Sequence, residues 1–190
     1  YMSESPGALL RYIIEMLLES CFPKLDHISR KLDHIEREIF AGNERDMVFE
    51  ISLVKRDVLN FRRTMKPQRS VLESLAQKDY RFIEADLKPY FQDLIGTNIR
   101  IWNGLESFKE TTESLEATNN SLLSNKLDMT MKVLTIFSAI LLPLTVYSNI
   151  MSMSTNIPLH TNPAAFWIHV VIMLVIAIVT VILFKIRKWF

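Results

Sequence analysis

Residues 133–184 read VLTIFSAILLPLTVYSNIMSMSTNIPLHTNPAAFWIHVVIMLVIAIVTVILF, 52 positions without one Asp, Glu, Lys or Arg. That run is too long for a single spanning helix, and Pro158 and Pro163 divide it into pieces close to the roughly 20 residues that a bilayer requires. It therefore predicts two membrane helices, 131–150 and 164–184, joined by a loop over 151–163. Two buried helices in a water-soluble fold are a poor alternative, because nothing else in the chain has enough apolar surface to cover them.

The remainder of the chain has the opposite character. All 21 acidic residues lie at or before Asp128, and 19 of the 22 Lys and Arg lie at or before Lys132. The net charge of +1 says nothing about partners, but its distribution separates a helical, water-compatible part, 1–127, from a membrane domain, 128–190. Loops that stay in the cytoplasm carry an excess of Lys and Arg. Lys126 and Lys132 precede the first span and Lys185, Arg187 and Lys188 follow the second, whereas 151–163 carries neither. Both termini are thus expected in the cytoplasm and the loop outside, with the basic cluster Lys185, Arg187, Lys188 anchoring the inner end. The amino-terminal segment SPGALLRYIIEMLLESC is broken by Arg11, Glu15 and Glu19 and does not read as a cleavable signal. A single cysteine, Cys21, cannot form an intramolecular disulfide, lies on an apolar stripe, and reads as core filler.

The polar part reads as helix almost throughout. Ile14, Leu18, Cys21, Leu25, Ile28, Leu32, Ile35 and Ile39 alternate spacings of four and three, which puts a narrow apolar seam along one helix. Ala41-Gly42-Asn43 offers a stop. Met47, Ile51, Val54, Val58, Phe61 and Met65 repeat the alternation, so a second long helix is expected to return antiparallel, ended or bent at Pro67, with Val71, Leu72 and Leu75 continuing its apolar face. A third run starts between Arg81 and Pro89. Its seam is Leu87, Phe91, Leu94, Ile101, Leu105, Phe108, Leu115 and Leu122, with Thr112 and Asn119 as polar interruptions of the kind that set register or oligomer state. No Pro or Gly lies between Leu122 and Met131, so this stalk should run unbroken into the first span. From Leu87 to Ile150 that is 64 residues, or roughly 95 Å of rod.

The first span also has a face unsuited to lipid. Asp128, Met131, Thr135, Ser138, Leu142, Thr145, Asn149 and Ser152 alternate three and four, and five of the eight are small and neutral polar. Ser and Thr can return their hydroxyls to a carbonyl one turn back or bind helices together. The continuity of the stripe, beside a second span whose polar members are only His169 and Thr180, favours water on that face instead. One stripe cannot enclose a channel, so several copies around a common axis are the economical answer.

The segment MKVLTIFSAILLPLTVYSNIMSMS, its short loop and the apolar helix ending KIRKWF closely resemble the membrane domain of the CorA family of divalent-cation transporters. There MKVLTI and a PLT triplet mark the first span, Tyr-Gly-Met-Asn closes it, and a basic cluster with Trp closes the second. FPKLDHISRKLDHIEREIF followed by ISLVKRDVLNFRRTMKPQRSVLESL is similar to the family's helical hairpin. The resemblance covers the chain from Ser5 onward. It implies an all-α chain, a long antiparallel hairpin plus a stalk helix continuing into the first of two transmembrane helices, assembled as a homopentamer around one pore in the inner cell membrane. The matching pore positions are Asp128, Met131, Leu134, Leu142, Thr145 and Ser154. Met131, Leu134 and Leu142 would gate by excluding water, and Asp128 would attract cations at the inner end. Members of that family usually carry an α/β domain ahead of the hairpin, and two readings stay open: the sequence is a fragment of a longer protein, or a shortened member.

The outer end departs from the family pattern. Ser152-Met153-Ser154 stands where the family has Gly-Met-Asn, and Leu159-His160 follows Pro158 where an acidic residue is usual. Magnesium gives up its waters reluctantly, so a mouth built from Thr145, Asn149, Ser152, Met153 and Ser154 would hold the hydrated ion through outer-sphere bonds, more loosely at Ser154 than at Asn. Ser at 152 also removes glycine's access to positive backbone angles. Three readings stay open: a pore for divalent ions with altered selectivity, a pore for another solute, and a non-conducting scaffold or sensor. The retained stripe and Asp128 favour a working pore. The expected partners are copies of the chain, the bilayer and divalent ions, with magnesium first and cobalt, nickel and zinc behind it, and no nucleic acid. The ion is cargo, and no resident cofactor is expected. His160 is a ligand type for zinc or cobalt, but without a second His or Cys nearby it reads as an exposed loop residue. His169 is read as interfacial rather than as a proton carrier. No nucleotide loop, nucleophile triad or carboxylate dyad is present, and the chain is not expected to be an enzyme.

Overall fold

The computed structural model describes residues 5–152 and 165–186. Five α-helices make up almost all of it: α1 (Pro6–Glu19), α2 (Cys21–Ala41), α3 (Glu44–Gln77), α4 (Lys88–Ser152) and α5 (Ala165–Ile186), with a single 3-10 turn at Ala85–Leu87. Among the described residues there is no strand, and the chain is all-α as expected. It divides into two compact units, residues 1–123 and 124–190.

In the first unit the expected first helix is two. Pro23 carries no N–H and its ring crowds the carbonyl four residues back, so a continuous helix through Glu19 would lose a hydrogen bond there. The chain breaks at Ser20, whose hydroxyl donates to Leu17 O at 2.7 Å, and α2 restarts with Pro23 in its first turn, where proline is tolerated. The apolar seam survives the break: Leu18, Ile28, Leu32, Ile35 and Ile39 are buried, and Ile14, Cys21 and Leu25 pack half-buried against the core. His27 and His34 are exposed.

Gly42 ends α2 in the left-handed region at φ 100°. Its N–H donates to Ile39 O, and Asn43 N–H donates to Glu38 O at 3.1 Å. This paired capping arrangement satisfies carbonyls that the helix end leaves open. Glu44 and Asp46 then occupy the first turn of α3, where the helix dipole favours negative charge. Pro67 does not end α3, which continues to Gln77, with Met65, Leu72 and Ala76 buried on either side of it. The expectation for Val71 is overturned: it is 58% exposed, one position off the buried row.

Pair by pair, the contacts give the packing. Asn98 pairs with Met65, Arg62 with Glu106, Lys55 with Glu116, and Asn119 with Glu44. As the α3 number falls the α4 number rises, so α4 returns antiparallel to α3. Arg11 lies over the Tyr90 ring and Arg100 over the Phe22 ring, at a near-constant offset, so α1 and α2 run parallel to α4. The result is a bundle of three helical runs, α1 with α2, α3 and α4, with two apolar clusters. One is centred on Met65, Phe91, Ile101 and Leu105, the other on Ile35, Ile39, Val54 and Val58.

The polar seam positions are all buried: Thr112 and Asn119, as the heptad spacing indicates, and also Asn98, which that spacing skipped. Asn98 fills the heptad slot between Leu94 and Ile101, and the seven-residue gap there was the signal for it.

Candidate functional site

In the second unit α4 continues unbroken to Ser152, and α5 follows after the loop. Both helices are long and apolar enough to cross a membrane, with mean hydropathies of 1.8 and 2.9 over segments with no buried share. In hydrocarbon every backbone N–H and C=O must be satisfied within the segment, and a helix does that.

The half-covered residues of α4 in this unit are Ile136, Ala139, Ile140, Pro143, Leu144, Tyr147 and Met151. They fall on one face. On α5 the half-covered residues are His169, Val170, Met173, Ile176, Ala177, Thr180 and Phe184, again on one face. The Tyr147 hydroxyl meets His169 Nδ1 at 2.7 Å, which joins the two faces. Both uncharged polar members, His169 and Thr180, therefore lie on the covered side of α5, and apart from Lys185 in the last turn its remaining described surface is apolar.

The polar stripe of α4 lies elsewhere. Asp128, Met131, Thr135, Ser138, Leu142, Thr145, Asn149 and Ser152 are all exposed. With a helix turning about 100° per residue, the stripe and the α5-facing side are nearly opposite. Leu134 sits at the edge of the stripe, one turn above Met131, and is also exposed. Met131, Leu134 and Leu142 are each at least 60% exposed, so three large apolar side chains project on the same side as the hydroxyls.

Three hydroxyls on this face have their protons engaged. Thr135 donates to Met131 O at 2.7 Å, Ser138 to Leu134 O at 2.9 Å and Thr145 to Leu141 O at 2.8 Å. Each bond satisfies the donor and leaves the oxygen's lone pairs outward. A row of outward hydroxyl acceptors suits a cation or the waters around one. Asp128, one turn before Met131, adds a carboxylate in line with them. Thr180 Oγ1 likewise donates to Ile176 O at 2.8 Å, on the covered side of α5.

Of the remaining expected site residues, Lys185 is in the last turn of α5. Met153, Ser154, His160, Arg187 and Lys188 lie outside the described residues; of the departures from the family pattern only Ser152, the last residue of α4, is described. Among the described residues no group of three or more His, Cys, Asp or Glu side chains stands close enough to hold a metal ion. Sequence reasoning missed the role of Tyr147: a single aromatic in an apolar span carries no signal until its neighbour across the helix pair is known.

In the first unit Cys21 donates its thiol to Leu17 O at 3.3 Å. Burial pushes its pKa up, with Lys24 pulling weakly the other way, which fits a packed thiol rather than a reactive one.

The family model described as "CorA-like Mg2+ transporter protein" matches residues 2–187. The cobalt/magnesium transport protein CorA of Thermotoga maritima is 32% identical over 186 residues, covering 95% of this chain and 52% of that protein. The protein of the same name from Methanocaldococcus jannaschii is 24% identical over 184 residues, 96% of this chain and 58% of its own length. Among solved structures, the complete CorA magnesium transporter from M. jannaschii superimposes with a TM-score of 0.85 at 25% identity, over 97% of this chain and 58% of that one. The full-length CmaX protein shares the fold at a TM-score of 0.74 and 21% identity. The chain spans about half the length of the curated relatives it matches. With a family model matched over nearly its whole length and a helical fold shared with a solved member, the chain belongs to the CorA-like Mg2+ transporter family.

Proposed function

We propose that this chain is the pore-forming part of a divalent-cation transporter in the inner cell membrane, assembled as a homopentamer with both termini cytoplasmic. Magnesium is the favoured cargo, with cobalt, nickel and zinc as further candidates, in keeping with relatives described as cobalt/magnesium transport proteins. The observation that carries this reading is the exposed face of α4, where outward hydroxyl oxygens lie opposite the side covered by α5. Turned to lipid, that face would leave acceptors unsatisfied in hydrocarbon, at a cost that water on a shared axis removes. Copies related by a rotation axis supply that water.

In this assembly Asp128 concentrates cations at the inner end. Met131, Leu134 and Leu142 form apolar rings that stop flow by excluding water. Thr145, Asn149 and Ser152, with Met153 and Ser154 beyond them, form the outer mouth. A hydroxyl at Ser154, where the family has the longer Asn amide, makes that mouth wider, so the hydrated ion is held more loosely and discrimination among divalent ions is weaker. Lys185, Arg187 and Lys188 anchor the inner membrane face, where basic residues are retained. The chemistry is passage of an ion through ordered oxygen acceptors, with no bond made or broken.

Flux in proteoliposomes tests the reading. Purified chain is reconstituted and challenged with magnesium, cobalt, nickel, zinc and monovalent ions. Divalent influx is expected, and Leu142→Ala should increase leak in the closed condition. Folded oligomers that pass no ion would overturn the proposal, as would a monomer or dimer by mass in detergent.

A further inference from the structure

The contact between Tyr147 and His169 has no counterpart in the stripe, the gate or the basic cluster. The phenol oxygen is 2.7 Å from Nδ1, the ring centroids are 6.0 Å apart, and the planes are tilted by 55°. Both side chains are half-buried, and they come from different spans, 22 positions apart. The rest of the α4 face that α5 covers is Ile136, Ala139, Ile140, Pro143, Leu144 and Met151. Contacts of that kind are non-directional: they hold two helices together and tolerate rotation of one about its own axis. A hydrogen bond does not, because it weakens steeply as its angle departs from linear.

Rotation matters at this level of the helix. Thr145 lies two residues before Tyr147 and Asn149 two residues after it, and two steps of a helix bring both to the opposite side. A tyrosine tied to α5 therefore turns Thr145 and Asn149 away from α5. We infer that the Tyr147–His169 hydrogen bond is a positioning contact that fixes the rotation of the outer turns of α4, and so sets how firmly the Thr145 and Asn149 level holds its cation. Tyr147 and His169 do not touch the ion; they act through the two residues that face it. The inference rests on the pore reading proposed above. Either direction of donation serves. A neutral imidazole with its proton on Nε2 accepts from the phenol, and one with its proton on Nδ1 donates to it.

The test has two readouts in reconstituted full chain lacking its one native thiol (Cys21→Ser). First, single substitutions Thr145→Cys, Val146→Cys and Asn149→Cys are labelled with a water-soluble, membrane-impermeant thiol reagent. Positions 145 and 149 should label faster than 146. Adding Tyr147→Phe or His169→Leu should reduce that contrast about threefold to tenfold, the factor a hydrogen bond of this kind is worth. His169→Asn, whose amide oxygen can stand where Nδ1 stands, should restore most of it. Second, in the Cys21→Ser background alone, Tyr147→Phe and His169→Leu should raise the half-saturating magnesium concentration by the same factor. Maximal flux should change less, and His169→Asn should stay near the parent.

A labelling contrast that is absent in the parent, or unchanged by Tyr147→Phe and His169→Leu, overturns the inference. So does His169→Asn behaving like His169→Leu, which would indicate packing alone. Parent protein that passes no magnesium overturns the pore reading instead. In that case the labelling contrast, lost in Tyr147→Phe and kept in His169→Asn, still supports the positioning role.

Discussion

The side-chain amide of Asn119 donates to the main-chain carbonyl of Glu44 at 3.0 Å, tying α4 to the first turn of α3 across 75 positions of sequence. Both residues are buried, and the Asn119 side-chain oxygen has no partner. A polar residue on an apolar seam accepts such a cost when it selects one register over its neighbours. Asn119→Asp keeps the shape, removes the donor and places a carboxylate beside a carbonyl. It should destabilise the bundle by about 2–4 kcal/mol near neutral pH, and thermal unfolding in detergent measures it. Asn119→Leu should cost less than Asn119→Asp, because it also removes the unpartnered oxygen.

Two glycines should respond with opposite signs to the same change. A Cβ on Gly7 would come 2.5 Å from Phe82 O and 3.2 Å from Ile83 Cα, both main-chain atoms that cannot swing aside, whereas one on Gly96 meets nothing within 4 Å. Gly7→Ala should therefore cost about 1–3 kcal/mol by forcing α1 off the turn before α4. Gly96→Ala should stabilise α4 by roughly 0.5–1 kcal/mol through helix propensity alone. Denaturant or thermal midpoints of the two variants check both signs.

Lys88 donates to the Asp79 carboxylate at 2.5 Å, and that bond, with the lysine's charge behind it, holds the Asp79 carboxyl below its ordinary range. A carboxyl with a depressed folded-state pKa contributes stability above its unfolded-state pKa and loses it as pH falls through the folded value. Lys88→Met should thus unfold at a lower temperature than the parent near pH 6. The gap should close on acidification below about pH 4, the unperturbed carboxylate range. Because the pair is solvent-exposed the gap should be small, and added salt should shrink it.

Asp128 is exposed one turn before Met131. If it draws cations toward the inner end of the pore, Asp128→Asn should slow magnesium flux about tenfold at low ionic strength, with a much smaller effect at high salt. Flux measured at two salt concentrations separates this from a folding defect, which would not depend on salt in that way.

The helices themselves were legible because burial leaves a period in the sequence. The alternation of four and three in Ile28, Leu32, Ile35, Ile39 and in Met47, Ile51, Val54, Val58 is what a helix face must show when it meets another. The break at Ser20 was harder to see. The seam runs through it without a skip, and its cause, Pro23, lies three residues further on. Asn98 was passed over as an empty seven-residue interval between Leu94 and Ile101, although Thr112 and Asn119 on the same seam read as polar interruptions. Val71 shows the reverse error: an apolar letter beside the buried row is not in it.

At the candidate site, the letters of the stripe were enough to select a face of α4 and to propose water beside it. Composition and periodicity alone determined two helices long and apolar enough to cross a membrane, a helical bundle ahead of them and a polar line along the first, since each depends on residue type at a fixed spacing in one helix. What only the tertiary structure decided were relations between helices: α5 covers the side of α4 opposite the hydroxyls, Tyr147 reaches His169, and Asn119 reaches Glu44. The physical reason is that a helix's own period fixes which of its residues share a side, but not the azimuth at which a second helix docks. Two chain-distant side chains meet only after packing has set that angle.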